Sequence, residues 1–269
     1  MDKCQFSEFS YGYCVTEDLV IGQGMPLTAA PVFPSLIEEG QSGIGYDVRF
    51  DLPGIPLFLQ FKLVHQMVRG NANEAKNGEF TPPFYRMHLR PRNISDQHES
   101  LLSLDQAGND VFYVAPCFHM SMALNAAYGQ RQVWNRSFRV RPSLIGSLPD
   151  DKSHHVSFQQ PNGNWRFYSD GPSSRGGRAP STEEIVAQFQ RRIVEGGKRT
   201  LREQIEHLDA SLQGIVKARN DKRNERERID MRDLGDKIDP LRRVAYIARQ
   251  FFDCQMLFVT LRDSILETA

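Results

Sequence analysis

No apolar run in this chain approaches the roughly 20 residues that a membrane-spanning helix needs. The opening residues, Met1 to Phe6, lack the basic stretch followed by an apolar one that marks a secretory signal. Cysteine is scarce and scattered: Cys4, Cys14, Cys117 and Cys254 form no CxxC pair. That excludes an obvious zinc site or disulfide framework and is the pattern of reduced thiols in a cytoplasmic protein. An excess of charge of either sign is also missing, since 33 Lys and Arg balance 33 Asp and Glu. A chain-wide cationic field that would draw the protein onto nucleic acid is therefore excluded, although local patches are not. Two such patches stand out, Arg86, Arg90 and Arg92, then Arg136, Arg139 and Arg141. Several catalytic fingerprints are absent: there is no GxxxxGK followed by Ser or Thr, no GxSxG and no HExxH.

What is present is ordinary globular material, 40% hydrophobic and 25% charged over 269 residues, enough for one large domain or two small ones. Residues 171–181 are rich in Gly, Pro and Ser, with no apolar period, and are expected to be a linker. They divide an α/β domain over 1–170 from a helical region over 182–269. Within the first part, Ser35 to Glu39 is expected as a short helix ended by Gly40, and Ser95 caps a second helix from Asp96. Phe84 to Leu89 has strand propensity, and Val111 to Ala115 is a continuous apolar run, as in a buried strand. Val156 to Phe158 and Trp165 to Tyr168 flank Pro161-Asn162-Gly163-Asn164, a hairpin signal. Beyond the linker, Ser181 and Glu184 have capping-box spacing, and apolar residues recur at helical intervals through Leu261.

The chemistry concentrates in Gly45-Tyr46-Asp47-Val48, then Leu57-Phe58-Leu59-Gln60-Phe61-Lys62-Leu63, which read as two strands around a Pro53-Gly54 turn. Side chains two apart on a strand share a face, so Gln60 and Lys62 are neighbours. Asp47 on the other strand can face the same side. An acid, an amide and a lysine among apolar neighbours are suited to hold a divalent metal against a phosphate. Glu38 or Glu39, on the preceding helix, can add a second acid. The bland alternative is the polar face of an edge hairpin. It is weakened by Leu57, Phe58, Leu59 and Phe61, because a lysine covered on both faces is costly to bury without a partner.

The pattern Asp47…Gln60-x-Lys62, in the order helix, strand, strand, strand, helix, strand over about residues 31–116, resembles the PD-(D/E)xK, restriction-endonuclease-like nuclease superfamily. The resemblance implies an αβββαβ core with a mixed sheet, followed by a C-terminal helical extension. It implies Mg²⁺ or Mn²⁺ bound by Asp47, Gln60, Glu39 and Glu38, with Lys62 beside the metal. Gln60 stands where the superfamily more often has an acid. Gln97 and His98, opening the helix after the third strand, and His119, just past the buried strand, are secondary candidates. The function implied is a metal-dependent endonuclease hydrolysing phosphodiester bonds, acting on DNA rather than RNA. By analogy it is an effector of bacterial anti-phage defence that works as a homo-oligomer or within a multiprotein complex. A catalytically inactive nuclease-fold subunit that scaffolds such a complex is the alternative, and a metal-free ribonuclease using His88, His98 or His119 is a third reading.

Overall fold

The computed structural model describes residues 1–22, 55–169, 175–195, 201–221 and 240–259. In chain order these form β1 (Asp2–Lys3), α1 (Glu8–Glu17), a π-helical turn (Asp18–Gly22), β2 (Ile55–Phe61), β3 (Val64–Met67), α2 (Asn73–Lys76) and β4 (Phe84–Leu89). Next come α3 (Gln97–Gln106), β5 (Asp110–Pro116), α4 (Ser121–Gly129), β6 (Ser137–Val140) and α5 (Pro142–Ile145). The rest are β7 (His154–Phe158), β8 (Asn164–Tyr168), β9 (Arg175–Arg178), α6 (Thr182–Glu195), α7 (Leu201–Asn220), α8 (Pro240–Phe252) and β10 (Gln255–Val259). No described helix is long and apolar enough to cross a membrane.

The chain is an α/β protein with two sheets. The mixed one has the order β10-β2-β5-β6, and its only parallel pair is β2 with β5. The other is antiparallel throughout, β1-β3-β4-β7-β8-β9. The chain passes from one sheet to the other at Lys62 and Leu63, between β2 and β3. Lys62 N still donates to Val114 O (3.0 Å), so the β2–β5 pairing runs up to this corner.

Alternation along β2 sorts its side chains. Leu57 and Leu59 pack with Tyr11, Val15, Trp134, Ile185 and Phe189, the layer made by α1 and α6. Phe58 points the other way, into the space between the sheets and the helices α3, α7 and α8. There Phe138 and Phe158 stack at 3.9 Å, one from each sheet. Burying such a ring contributes about 1.5–3 kcal/mol, so this double-sided covering of β2 and β5 is the main stabiliser of the central sheet. It also explains why Ile55 to Leu59 and Val111 to Ala115 read as apolar runs.

Three expectations are corrected here. Residues 182–269 are not an all-helical extension apart from the sheet. α8 buries Leu241, Val244, Ile247 and Phe252 in the core that holds Phe58 and Val111, and β10 pairs with β2 along Ile55 to Leu59. The proposed linker holds β9, an edge strand of the antiparallel sheet. Gly176 makes this possible, because a Cβ there would lie 2.6 Å from Trp165 O. β4, expected with β2 and β5 in one mixed sheet of an αβββαβ core, belongs to the antiparallel sheet instead. The helix expected at 35–39 and the strand around Asp47 lie outside the described residues. Among the described residues β2 is flanked by β10, along Ile55 to Leu59, and by β5.

Candidate functional site

Gln60, Lys62 and Gln97 meet at the carboxyl end of β2. Lys62 Nζ donates to Gln97 Oε1 at 2.7 Å, and Gln97 Nε2 donates to Gln60 Oε1 at 3.2 Å. The same Nε2 donates to Asp253 Oδ2 at 2.8 Å. Gln60 Nε2 is fixed by Phe61 O (3.1 Å), which leaves its carbonyl oxygen facing Gln97. The placement follows from local rules. Gln60 and Lys62 are two apart at the end of a strand, so both leave it on the α3 side. Gln97 is the first residue of α3, with its backbone N–H accepted by Ser95 Oγ (3.3 Å). The positive end of the α3 dipole therefore faces the cluster.

Asp253 was not foreseen, and it comes from nearly 200 residues away. The register Gln255↔Leu59, carried two residues on, sets Asp253 level with Phe61, between Gln60 and Lys62. Its other oxygen, Oδ1, accepts from Arg249 Nη1 at 3.0 Å, and both side chains are partly open to solvent. Glu8, at the start of α1, is the other unforeseen acid. Its Oε1 accepts from Leu63 N at 3.4 Å.

Lys62 is only 6% exposed. Burial pulls its ammonium below the ordinary lysine range. Glu8 opposes that shift, Arg90 adds to it and Asp253 opposes it. Two carboxylates near a buried lysine keep a cation where desolvation alone disfavours it. Gln60 and Gln97 are 4% and 5% exposed. The cluster is thus a buried network of one cation and two amides, with the half-exposed Asp253–Arg249 pair at its edge.

No family model, curated protein or solved structure matches this chain.

The remaining candidates are dispersed. Asp47, Glu38 and Glu39 lie outside the described residues. His98, next to Gln97 on α3, faces away from the cluster. Its Nε2 donates to Gly146 O (2.9 Å), which leaves Nδ1 to accept from Tyr113 Oη (3.0 Å), so it is a buried neutral tie between α3, β5 and α5. Burial holds its pKa low. His119 follows β5 and is held by its carbonyl, which accepts from Gln5 N; no described hydrogen bond links it to Gln60, Lys62 or Gln97. The arginine patches are mostly consumed internally. Arg86 clamps Glu74 at 2.6 and 2.5 Å, and Arg92 pairs with Asp151. Arg141 pairs with Asp105 and Asp110. Arg139 is 1% exposed beneath Trp134, its guanidinium 4.7 Å from the ring. Of the six, Arg90 bears directly on the cluster.

The donor set fits an oxygen-seeking divalent cation. Two oxygens, Gln60 Oε1 and Asp253 Oδ2, converge on the single Nε2 of Gln97. A carboxylate and an amide carbonyl are ligand types that Mg²⁺ or Mn²⁺ takes. Among the described residues no group of three His, Cys, Asp or Glu side chains completes a shell by itself.

Proposed function

We propose that this protein is a metal-dependent endonuclease that hydrolyses phosphodiester bonds of DNA, built on a restriction-endonuclease-like core. What carries the reading is the convergence of Gln60, Lys62 and Gln97 at the carboxyl end of a parallel strand pair, in the place where the motif Gln60-x-Lys62 puts its chemistry. Between the parallel strands β2 and β5 the chain runs through β3, α2, β4 and α3, and α3 brings its amino end to the cluster, which supports the reading as well.

Hydrolysis forms a bond from a water oxygen to phosphorus as the bond to the leaving oxygen breaks, and the leaving oxygen ends protonated. Negative charge gathers on the phosphoryl oxygens in between. Lys62 Nζ is positioned to neutralise that charge or to hold the attacking water, and its burial strengthens either interaction. The α3 dipole acts in the same sense. Gln60 supplies a neutral oxygen to a Mg²⁺ or Mn²⁺ ion, with Asp47 and Glu38 or Glu39 as the acids the motif assigns to it. The bound ion supplies Lewis-acid polarisation of the phosphate and a more acidic water. Zero net charge, and arginines tied up in internal pairs, imply that substrate affinity is shared with a second copy or with other subunits of a defence complex.

The experiment is cleavage of duplex DNA, single-stranded DNA and RNA in Mg²⁺ or Mn²⁺ by the full chain and by Lys62→Met. Metal-dependent DNA cleavage lost in the variant supports the reading. Equal cleavage by both proteins, or none by either, refutes it. One observation favours a second reading, a scaffold that keeps the fold without the reaction: Gln97 Nε2 sits between the two oxygens a cation would need. In that case no divalent ion binds the purified protein.

A further inference from the structure

Asp253 stands at a backbone position that glycine would fill with less strain. It follows α8 with φ of +47°, one of two non-glycine residues with positive φ among those described. Its N–H donates to Arg249 O, and that of Cys254 donates to Ala248 O, both at 3.1 Å. This closes α8 in the left-handed manner that strongly prefers glycine. Aspartate tolerates this conformation but is strained in it, and strain kept at a cleft is a pointer to function. The turn aims the carboxylate across the sheet end at Gln97, level with Gln60 and Lys62. Nothing in the packing of α8 against β10 requires a charge there, and the Arg249 pair is half in solvent, where such pairs contribute little.

We propose that Asp253 is the carboxylate that binds the divalent cation at this site, paired with the carbonyl oxygen of Gln60. The inference rests on the nuclease reading and adds to it an acid from the opposite end of the chain. It also accounts for Gln60. A superfamily pattern that places an acid two residues before the lysine can place an amide there if the charge arrives from the neighbouring strand. In the present arrangement Gln97 Nε2 bridges the two oxygens. Cation binding requires the Gln97 side chain to turn away, which frees Lys62 Nζ from Gln97 Oε1 at the same moment.

The test is calorimetric titration of Mn²⁺ into the full chain as wild type, Asp253→Asn and Asp253→Gly, with thermal melting and DNA cleavage measured on the same samples. Asparagine keeps the shape, the oxygen facing Gln97 and tolerance of the left-handed backbone, and loses only the charge. Glycine relieves the strain and removes the side chain. The expected result is at least a tenfold loss of Mn²⁺ affinity in both variants, with Asp253→Asn melting like wild type and Asp253→Gly melting at or above it. Wild-type affinity in Asp253→Asn overturns this role and leaves the nuclease reading standing. A wild type that binds no Mn²⁺ and cuts no DNA overturns both.

Discussion

Replacing Lys62 by methionine separates a residue kept for chemistry from one kept for the fold. Methionine has nearly the same length and shape, so packing between β2 and α3 is preserved. What disappears is the ammonium and its 2.7 Å hydrogen bond to Gln97 Oε1. A bond from a charged donor is worth about 1.5–3 kcal/mol to the folded state. Against it stands the desolvation of an ammonium, several kcal/mol in effective terms, only partly offset by Glu8 and Asp253. The two terms oppose each other at similar size, so Lys62→Met is expected within about 1.5 kcal/mol of wild type in urea unfolding. The reaction has no such compensation. Removing one group that stabilises transition-state charge costs about 100- to 1,000-fold in rate. Single-turnover DNA cleavage in Mg²⁺ should fall by that factor, and Lys62→Arg should not restore it, since a planar guanidinium does not fit the space of a point charge. The reasoning fails if Lys62→Met unfolds more than about 3 kcal/mol more easily, as breaking a buried ion pair does, while its folded fraction cuts at the wild-type rate.

Gln60→Glu restores the acid that the motif more often carries. It is expected to bind Mn²⁺ about tenfold tighter by calorimetry, a gain of about 1.4 kcal/mol, and to melt lower because the bond to Phe61 O is lost. Stability should fall as pH drops below 6.5. His65, His88 and His98 are all held below the ordinary imidazole range by burial, His88 to about 4. The unfolded chain takes up these protons first, so the stability present above 6.5 is lost as pH falls towards 4. Melting temperature followed across that window should slope downwards, and His88→Gln should flatten the curve. Glu74 steepens the slope at the acid end: burial works against its charge, but His155 and Arg86 outweigh that and hold its carboxyl well below the usual range, so the unfolded chain takes up this proton first as well. Asp209→Ala removes a carboxylate that grips Arg243 at 2.7 and 2.6 Å between α7 and α8. It removes the carboxylate that faces a buried guanidinium and should cost about 3–5 kcal/mol in urea unfolding.

What could be read from the sequence was local. β4, β5, α3 and the β7–β8 hairpin fall close to their expected bounds, since each follows from a short apolar period, a cap or a turn of fixed chemistry. The Ser181 and Glu184 box is present with both bonds, Glu184 N to Ser181 Oγ and Ser181 N to Glu184 Oε2. Gln60 and Lys62 could be picked out because two polar residues interrupt an otherwise apolar strand. Gln97 was reachable only as the residue that opens α3. β10 was not legible. Phe251, Phe252, Met256, Leu257 and Val259 satisfy a helical period, and the break at Asp253-Cys254 contains neither glycine nor proline. Its strand state is decided by the free edge of β2, a partner almost 200 residues earlier, and periodicity cannot register a partner so distant. Asp253 was missed for the same reason, because its relevance exists only once that pairing is made.

The pairing changes what the C-terminal third is for. Read alone, α7, α8 and the residues after them look like an amphipathic arm seeking a partner. In the fold, their apolar faces are already spent: Leu208, Leu212, Val244, Ile247 and Phe252 lie in one core with Phe58 and Tyr113. An element buried there cannot also serve as a detachable docking arm without opening the edge of β2. It would pull Asp253 away from Gln97 in the same step, since the carboxylate is carried by the turn between α8 and β10. Any partner that pulls on α8 therefore acts on the charge balance around Lys62. An oligomeric or complex-bound form of this protein has two ways to be assembled: through surfaces that leave α8 seated, with the site intact, or through α8 itself, with the site dismantled.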